Sequence, residues 1–469
     1  MSGFSRLTGL FRDREYFHLM ARYALPIAVQ NLVMSSLNMV AVMFIGQLGE
    51  TAVAAVGLAN QLWFLLNLIV FGVISGSAMF VAQLWGKHDI PNIRRVLGLA
   101  VKLGLLAALV FWCLAMFLPS SILRLYTEDQ AVIELGGQYL RIFAWSYGFY
   151  AITATFASTL RSVGNVRLPM FISTGALGLN ILLAYPLIFG VGLLRIPAMG
   201  VSGAAYAGLI ARILECLTLL AFIYRNKANP AAAGWRDLFS LDWHFLVAVL
   251  KPVLPVIANE FLWSMGITTY NAIYGHIGTN AVAAINIVST IDQMAFVLFL
   301  GLGTATAILV GNLIGRGETE RAYQYAGRSL LIQGSGAAVM GLLVYLFAGN
   351  VFQFYKVSPE VILNAHAILT VMALGMWVRA CNHVIIIGIL RSGGDTRYSL
   401  ILDGFVIWLV GVPFTAAGAF LLGLPVHLVY ALTLTEEVTK FSFGLRRYYS
   451  RRWINDLTRR VSEIPALQA

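Results

Sequence analysis

"LPIAVQNLVMSSLNMVAVMFIGQLGETAVAA" (residues 25–55) and "LPVIANEFLWSMGITTYNAIYGHIGTNAVAA" (residues 254–284) stand 229 residues apart. Each opens on Leu-Pro, runs apolar, turns at two glycines and closes on Ala-Val-Ala-Ala. Gly46 and Gly49 fall on Gly275 and Gly278; further on, Val81 and Gly86 fall on Val310 and Gly315. "LRSVGNVR" (160–167) falls on "LRSGGDTR" (390–397) at a shift of 230. So little slip over so long a stretch marks an internal repeat. Within it, Asn31 and Gln30 align with Glu260 and Asn259, so the second copy places a carboxylate inside an apolar run where the first has an amide.

The rest of the chain has the same character. It is 59% hydrophobic and 11% charged, with a mean hydropathy of +0.79. Soluble domains average about 25% charged residues, so a polytopic membrane protein is expected. Twelve runs reach the roughly 20 residues a span needs: 24–45, 54–82, 97–118, 136–160, 168–191, 199–223, 246–273, 281–310, 327–349, 362–389, 398–421 and 424–446. The N-terminal segment, with Arg6, Arg12, Arg14 and Arg22, reads as an amphipathic interfacial lead-in rather than a cleavable signal.

Charge sets the orientation. With the N-terminus in the cytoplasm, 25 of the 32 Lys and Arg fall on that side, counting those at cytoplasmic helix ends; Arg124, Arg195 and Lys356 lie outside, and Arg141, Arg212, Arg379 and Lys440 remain inside spans. That asymmetry puts both termini in the cytoplasm. The net charge of +11 therefore reports topology and attraction to anionic lipid, and no nucleic-acid partner is expected. Cys113, Cys216 and Cys381 are scattered in apolar runs, without disulfide or zinc spacing. Protease, hydrolase and P-loop motifs are absent, as is any nucleophile–base set, so the chain is not read as an enzyme and no cofactor is expected.

An even number of spans per copy makes the repeats parallel. The expected fold is all-α: twelve transmembrane helices in two six-helix lobes, residues 1–223 and 247–446, joined by a cytoplasmic linker 224–246 and followed by a basic tail 447–469. Two such halves enclosing a cavity suit alternating access, and hence a carrier.

Four stretches carry a family resemblance: "LPIAVQNLVMSSLNMVAVMFIGQLGETAVAAVGLANQ" (25–61), "LRSVGN" (160–165), "GVSGAAYAGLIAR" (200–212) and "LRSGGDTR" (390–397). With them the chain resembles, over nearly its whole length, the multidrug and toxic compound extrusion (MATE) family of cation-coupled antiporters. The resemblance implies export of organic, often cationic, compounds against inward Na⁺ or H⁺, in a bacterial inner membrane. Glu260 matches the span-7 glutamate of the NorM type. The span-10 aspartate of that type falls at about Ala380, the span-1 aspartate of the DinF type at Ala41, and the span-5 aspartate of the N-x-x-x-D pattern at Ala184, after the matching Asn180. The usual acids are thus partly replaced.

An ionisable group inside a membrane is functional by default. Glu260, near mid-span, is read as the ion-coupling acid, against a neutral acid hydrogen-bonded between helices. Asp292, in the polar segment "STIDQ", is read as sharing the ion with Glu260, against a cavity acid that meets only substrate. Asp403, Arg379 and His383 form a possible gate or relay, with a structural Asp403–Arg379 ion pair as the preferred reading. Glu436 and Lys440, four residues apart, read as a structural pair, as does Arg212 with Glu215; Glu437 points elsewhere, and Arg141 snorkels. Substrate-cavity candidates are Gln30, Asn31, Asn38, Gln61, Asn67, Asn180, Trp263, Tyr270 and Met294, with Trp63 as a further stacking surface; helix packing is the alternative for each aromatic. A lipid-intermediate or oligosaccharide flippase, or a non-transporting regulatory membrane protein, are the competing functions. A monomer suffices for a two-lobed carrier.

Overall fold

The computed structural model describes residues 13–191, 197–239, 243–353 and 357–459. Its principal helices are α1 (Arg14–Gly46), α2 (Glu50–Gly86), α3 (Ile90–Phe117), α4 (Gln130–Phe143, resuming as Ser146–Ser162), α5 (Arg167–Phe189), α6 (Gly200–Arg225), α7 (Trp243–Ile277), α8 (Thr279–Gly315), α9 (Thr319–Phe352), α10 (Pro359–Arg391), α11 (Thr396–Leu421) and α12 (Val426–Tyr449). Ten of these, all but α4 and α12, contain segments long and apolar enough to cross a membrane. The run 136–160, expected to be unbroken, is interrupted at Ala144 and Trp145. α12 carries Glu436, Glu437, Lys440, Arg446 and Arg447.

Local chemistry sets several boundaries. Asp129 caps α4, accepting from the Ala131 and Val132 amides at 2.9 and 3.4 Å, and Ser358 caps α10 ahead of Pro359. The repeat reappears in the backbone: residues with positive φ pair up as Gly49 with Gly278, His88 with Gly317, and Gly164 with Gly394. The two "LRS" motifs close their helices alike. Asn165 N bonds Leu160 O at 2.8 Å and Gly164 N bonds Arg161 O at 2.9 Å; Asp395 N bonds Leu390 O and Gly394 N bonds Arg391 O, both at 2.9 Å. These are Schellman caps, which want glycine at the left-handed position.

By their contacts the residues divide into two units. Among the described residues, the C-half unit comprises those within 13–28, 82–88 and 250–459, and the N-half unit those within 29–81 and 89–249. In the C-half unit one apolar cluster gathers Ile285, Ile368, Met376 and Ile407, and a second gathers Tyr16, Tyr325, Ile385 and Trp453. There the end of α2 meets the end of α8 backbone to backbone. A Cβ at Gly315 would land on the Gln83 carbonyl, and one at Gly86 on that of Asn312, so only glycine allows this approach. The segment after α12 packs down rather than trailing away: Trp453 is fully buried, Gln83 Nε2 donates to Ser392 O at 2.8 Å, and Gln83 Oε1 accepts from Leu457 N at 2.8 Å. The N-half unit has its own core, including Leu66, Val70, Leu123, Leu140 and Tyr147. Between α6 and α7 lies a short helix, Trp235–Phe239.

Candidate functional site

The site is a set of charged side chains buried among α7, α8, α10, α11 and α12 of the C-half unit. α7 supplies adjacent polar residues, Asn259 and Glu260, 1% and 8% exposed. Glu260 Oε1 lies 2.6 Å from Arg391 Nη1, and the Arg391 side chain is 3% exposed. Asn259 Nδ2 donates to Asp403 Oδ2 at 2.8 Å, and Lys440 Nζ donates to Asp403 Oδ1 at 2.7 Å. Lys440 also pairs with Glu436, whose second oxygen accepts from the Tyr270 hydroxyl. Arg379 Nη1 donates to Asp292 Oδ1 at 2.8 Å, with its guanidinium 5.2 Å from the Phe296 ring centre. Asn382 Nδ2 donates to the Glu437 carbonyl at 2.8 Å and to its carboxylate at 2.7 Å.

The backbone that holds these groups is unusual. Val384–Arg391 at the end of α10, and Leu400–Phe405, Ile407–Gly411 and Ala417–Leu421 in α11, are wound as π-helix. Wider turns rotate side chains away from their α-helical phase and recur at functional sites. Arg391 and Gly411 each end such a segment, and Asp403 lies inside one.

The sequence expectation and this arrangement differ in several places. Asp403 does not pair with Arg379: it takes Lys440, and Arg379 takes Asp292. Glu260 and Asp292 are each matched to a different arginine rather than to one another. Arg391, read from sequence as a cytoplasmic topology charge, is buried against Glu260. Its signal was the repeated "LRS" motif at the end of an apolar run, which is equally what a helix terminus looks like. Tyr270, expected as a cavity wall, is 6% exposed, with its hydroxyl committed to Glu436. Glu436 and Lys440 do pair, but as part of a cluster that also takes in Asp403. The His383 Nδ1 lies 3.3 Å from Gln333 Nε2, with its ring edge-on to Phe296, where Gly303 leaves room for it. Trp263 and Met294 are 40% and 61% exposed.

The other cavity candidates lie in the N-half unit. Gln30 is buried, Asn31 and Asn180 are half-buried, and Asn38 and Gln61 are exposed. Asn67 Nδ2 donates to the Tyr150 hydroxyl at 2.7 Å. Trp63 packs on Phe143, Tyr147 and Tyr150, and Arg212, paired with Glu215 at 2.8 Å, lies 5.7 Å from the Trp63 ring and 5.4 Å from that of Tyr150.

Comparison with known proteins gives the family of the chain. The model of the MatE family matches twice, over residues 26–186 and 255–417, in step with the internal repeat. A probable multidrug resistance protein, YoeA, of Bacillus subtilis is 26% identical over 84% of this chain and 85% of its own length. The multidrug resistance protein PmpM of Pseudomonas aeruginosa is 28% identical over 83% of this chain and 81% of its own. Among solved structures, a Vibrio cholerae MATE transporter, VcmN, superposes with a TM-score of 0.85 at 18% identity, covering 94% of this chain and 98% of that one. A Pyrococcus furiosus MOP-superfamily transporter gives 0.83 at 20%, covering 92% and 96%. These last two establish the fold.

Proposed function

The chain belongs to the MatE family of multi-pass membrane transporters, and on that premise we propose that it is a cation-coupled antiporter exporting organic, often cationic, compounds by alternating access. In this reading twelve spans form two parallel six-helix lobes, 1–223 and 247–446, joined by the cytoplasmic linker 224–246. Both termini, with the basic tail 447–469, face the cytoplasm, and a monomer works in the inner (plasma) membrane. Relatives whose names denote multidrug resistance support a small-molecule substrate.

The observation that carries the reading is the set of carboxylate–cation contacts linking five helices through an apolar interior. Burying such charges is costly, and replacing a buried pair with packed apolar residues is often neutral or stabilising. Their presence therefore asks for a use. A cation taken up by Glu260 weakens its hold on Arg391, and one taken up by Asp292 does the same for Arg379. Each exchange loosens a tie from α10 to α7 or α8. Because ion and substrate binding are linked through the same helix arrangement, each changes the affinity of the other by an equal factor. Gln30, Asn31, Asn38, Gln61, Asn67, Asn180, Trp263 and Met294 supply the polar and stacking surface for the exported molecule.

The test is efflux of rhodamine 6G from proteoliposomes under separately imposed pH and Na⁺ gradients. Efflux driven by at least one gradient, and lost in Glu260→Gln, is the expected result. Efflux that neither gradient drives would remove cation coupling from the account.

A further inference from the structure

We propose that the driving ion is a proton, and that its seat is the Asp403–Lys440–Glu436–Tyr270 cluster of α7, α11 and α12, with Glu436 as the carboxyl that carries it. This rests on reading the chain as a cation-coupled carrier, but it moves the seat of the ion from Glu260 and Asp292 to Glu436; the Glu260–Arg391 and Asp292–Arg379 pairs then act as ties between helices that respond to that proton.

The basis is charge balance at named atoms. Glu260 and Asp292 each face one guanidinium, so each forms a neutral pair. Lys440, whose side chain is 3% exposed, is shared by two carboxylates, Asp403 and Glu436, themselves 13% and 5% exposed. Two carboxylates around one ammonium leave a surplus negative charge in a dry interior, where an uncompensated charge is strongly destabilising. One proton removes it.

The geometry assigns the proton to Glu436. Asp403 already has two donors, the Asn259 amide at 2.8 Å and Lys440 at 2.7 Å, which suit a carboxylate. Glu436 has Lys440 on one oxygen and the Tyr270 hydroxyl on the other. A tyrosine hydroxyl can both donate and accept, so Tyr270 can bond Glu436 whether that carboxyl is ionised or protonated. Gly411 makes the room: a Cβ there would run into both the Tyr270 hydroxyl and a Glu436 oxygen. A metal cation at the same oxygens would meet the ammonium of Lys440, whereas a proton bonds to a single oxygen. The groups within electrostatic range of the cluster are Glu437 on α12, Tyr274 on α7 and, facing Asp403, Arg391 and His383 on α10 and Glu260 on α7. The step is an ionisation alone: a proton from the water on one side of the membrane adds to the Glu436 carboxylate and leaves to the other side, and no other bond changes.

Infrared difference spectroscopy on the purified protein, stepped from neutral to alkaline pH, tests this without any substrate. The expected result is loss of a protonated-carboxyl C=O band. Glu436→Asp should shift that band and Glu436→Gln should abolish it, while Glu260→Gln and Asp292→Asn leave it in place. The absence of a protonated-carboxyl band, or a band that follows Glu260, Asp292 or Asp403 instead, would overturn the assignment. If Glu436→Gln does not fold, the frequency shift in Glu436→Asp still decides the question. In proteoliposomes, rhodamine 6G efflux driven by a pH gradient and lost in Glu436→Gln is expected. Efflux driven by Na⁺ alone overturns the proton while leaving cation coupling intact; efflux driven by neither gradient removes the reading on which the proposal rests.

Discussion

Replacing Arg391 by glutamine takes away the guanidinium 2.6 Å from Glu260 and leaves a carboxylate that is only 8% exposed. Removing one partner of a buried ion pair typically destabilises by about 3–5 kcal/mol, because the remaining charge stays desolvated. Every 1.4 kcal/mol is about tenfold in an equilibrium constant, so the folding equilibrium constant should fall by roughly two to more than three orders of magnitude. The Ser399 hydroxyl lies 3.5 Å from the Arg391 Nε, too long a contact to stand in for the carboxylate. Glu260→Gln should cost a comparable amount, by taking the carboxylate away from a buried guanidinium. The double variant Glu260→Gln/Arg391→Gln places two neutral amides where the charges were and should recover much of the loss. The assay is a double-mutant cycle on purified protein, unfolded by SDS titration in mixed micelles. An interaction energy of about 2 kcal/mol or more is expected, within the range for residues in one ionic network. Single losses that add to within about 0.5 kcal/mol would show that the two side chains are independent, and would refute the pairing on which the site is built.

Gly411→Ala should destabilise by about 1–3 kcal/mol, as overpacking does, because the new Cβ collides with Tyr270 and Glu436; an unchanged melting temperature would contradict that packing. Trp453→Ala should cost about 3–5 kcal/mol, since its ring is fully buried and its Nε1 donates to Tyr448 O at 3.1 Å; a change under about 1 kcal/mol would show that the segment after α12 is not docked. Burial opposes ionisation of Asp456, but the Thr458 and Lys87 donors outweigh it and hold its carboxyl below the ordinary range. A depressed carboxyl stabilises above its unfolded value of about 4 and loses that contribution as pH falls through the folded value. Amide exchange across 453–458 should therefore stay slow from neutral pH to about 4 and quicken below it, once corrected for the intrinsic rate. Asp456→Asn protein with the same profile as wild type would remove Asp456 from that role.

The membrane class and the repeat were legible because they rest on composition, apolar length and turn glycines, and these are properties of single segments. Gly49 and Gly278, or the paired "LRS" caps, can be matched without knowing where either helix packs. The break in α4 was not legible, because Ala144 and Trp145 include no proline or glycine to announce it. The site was half legible. A lone Glu260 in an apolar run is conspicuous, but the choice of its partner is not. Partner choice depends on helix rotation and on π-wound turns that shift Arg391, Asp403 and Gly411 out of the 3.6-residue phase. Arg391 and Asp403 looked like a terminal charge and a partner for Arg379; across four helices they became the partners of Glu260 and Lys440.

The most direct test of antiport is to watch ion and substrate together. Proteoliposomes holding a trapped pH dye at one interior pH and Na⁺ concentration, equal to those outside, receive rhodamine 6G on one side only. The account predicts that substrate entering down its own gradient drives protons the opposite way, in proportion to the substrate moved, and that the proton signal disappears in Glu436→Gln. Rhodamine 6G that crosses through wild-type protein with no opposing movement of H⁺ or Na⁺ would contradict coupled exchange.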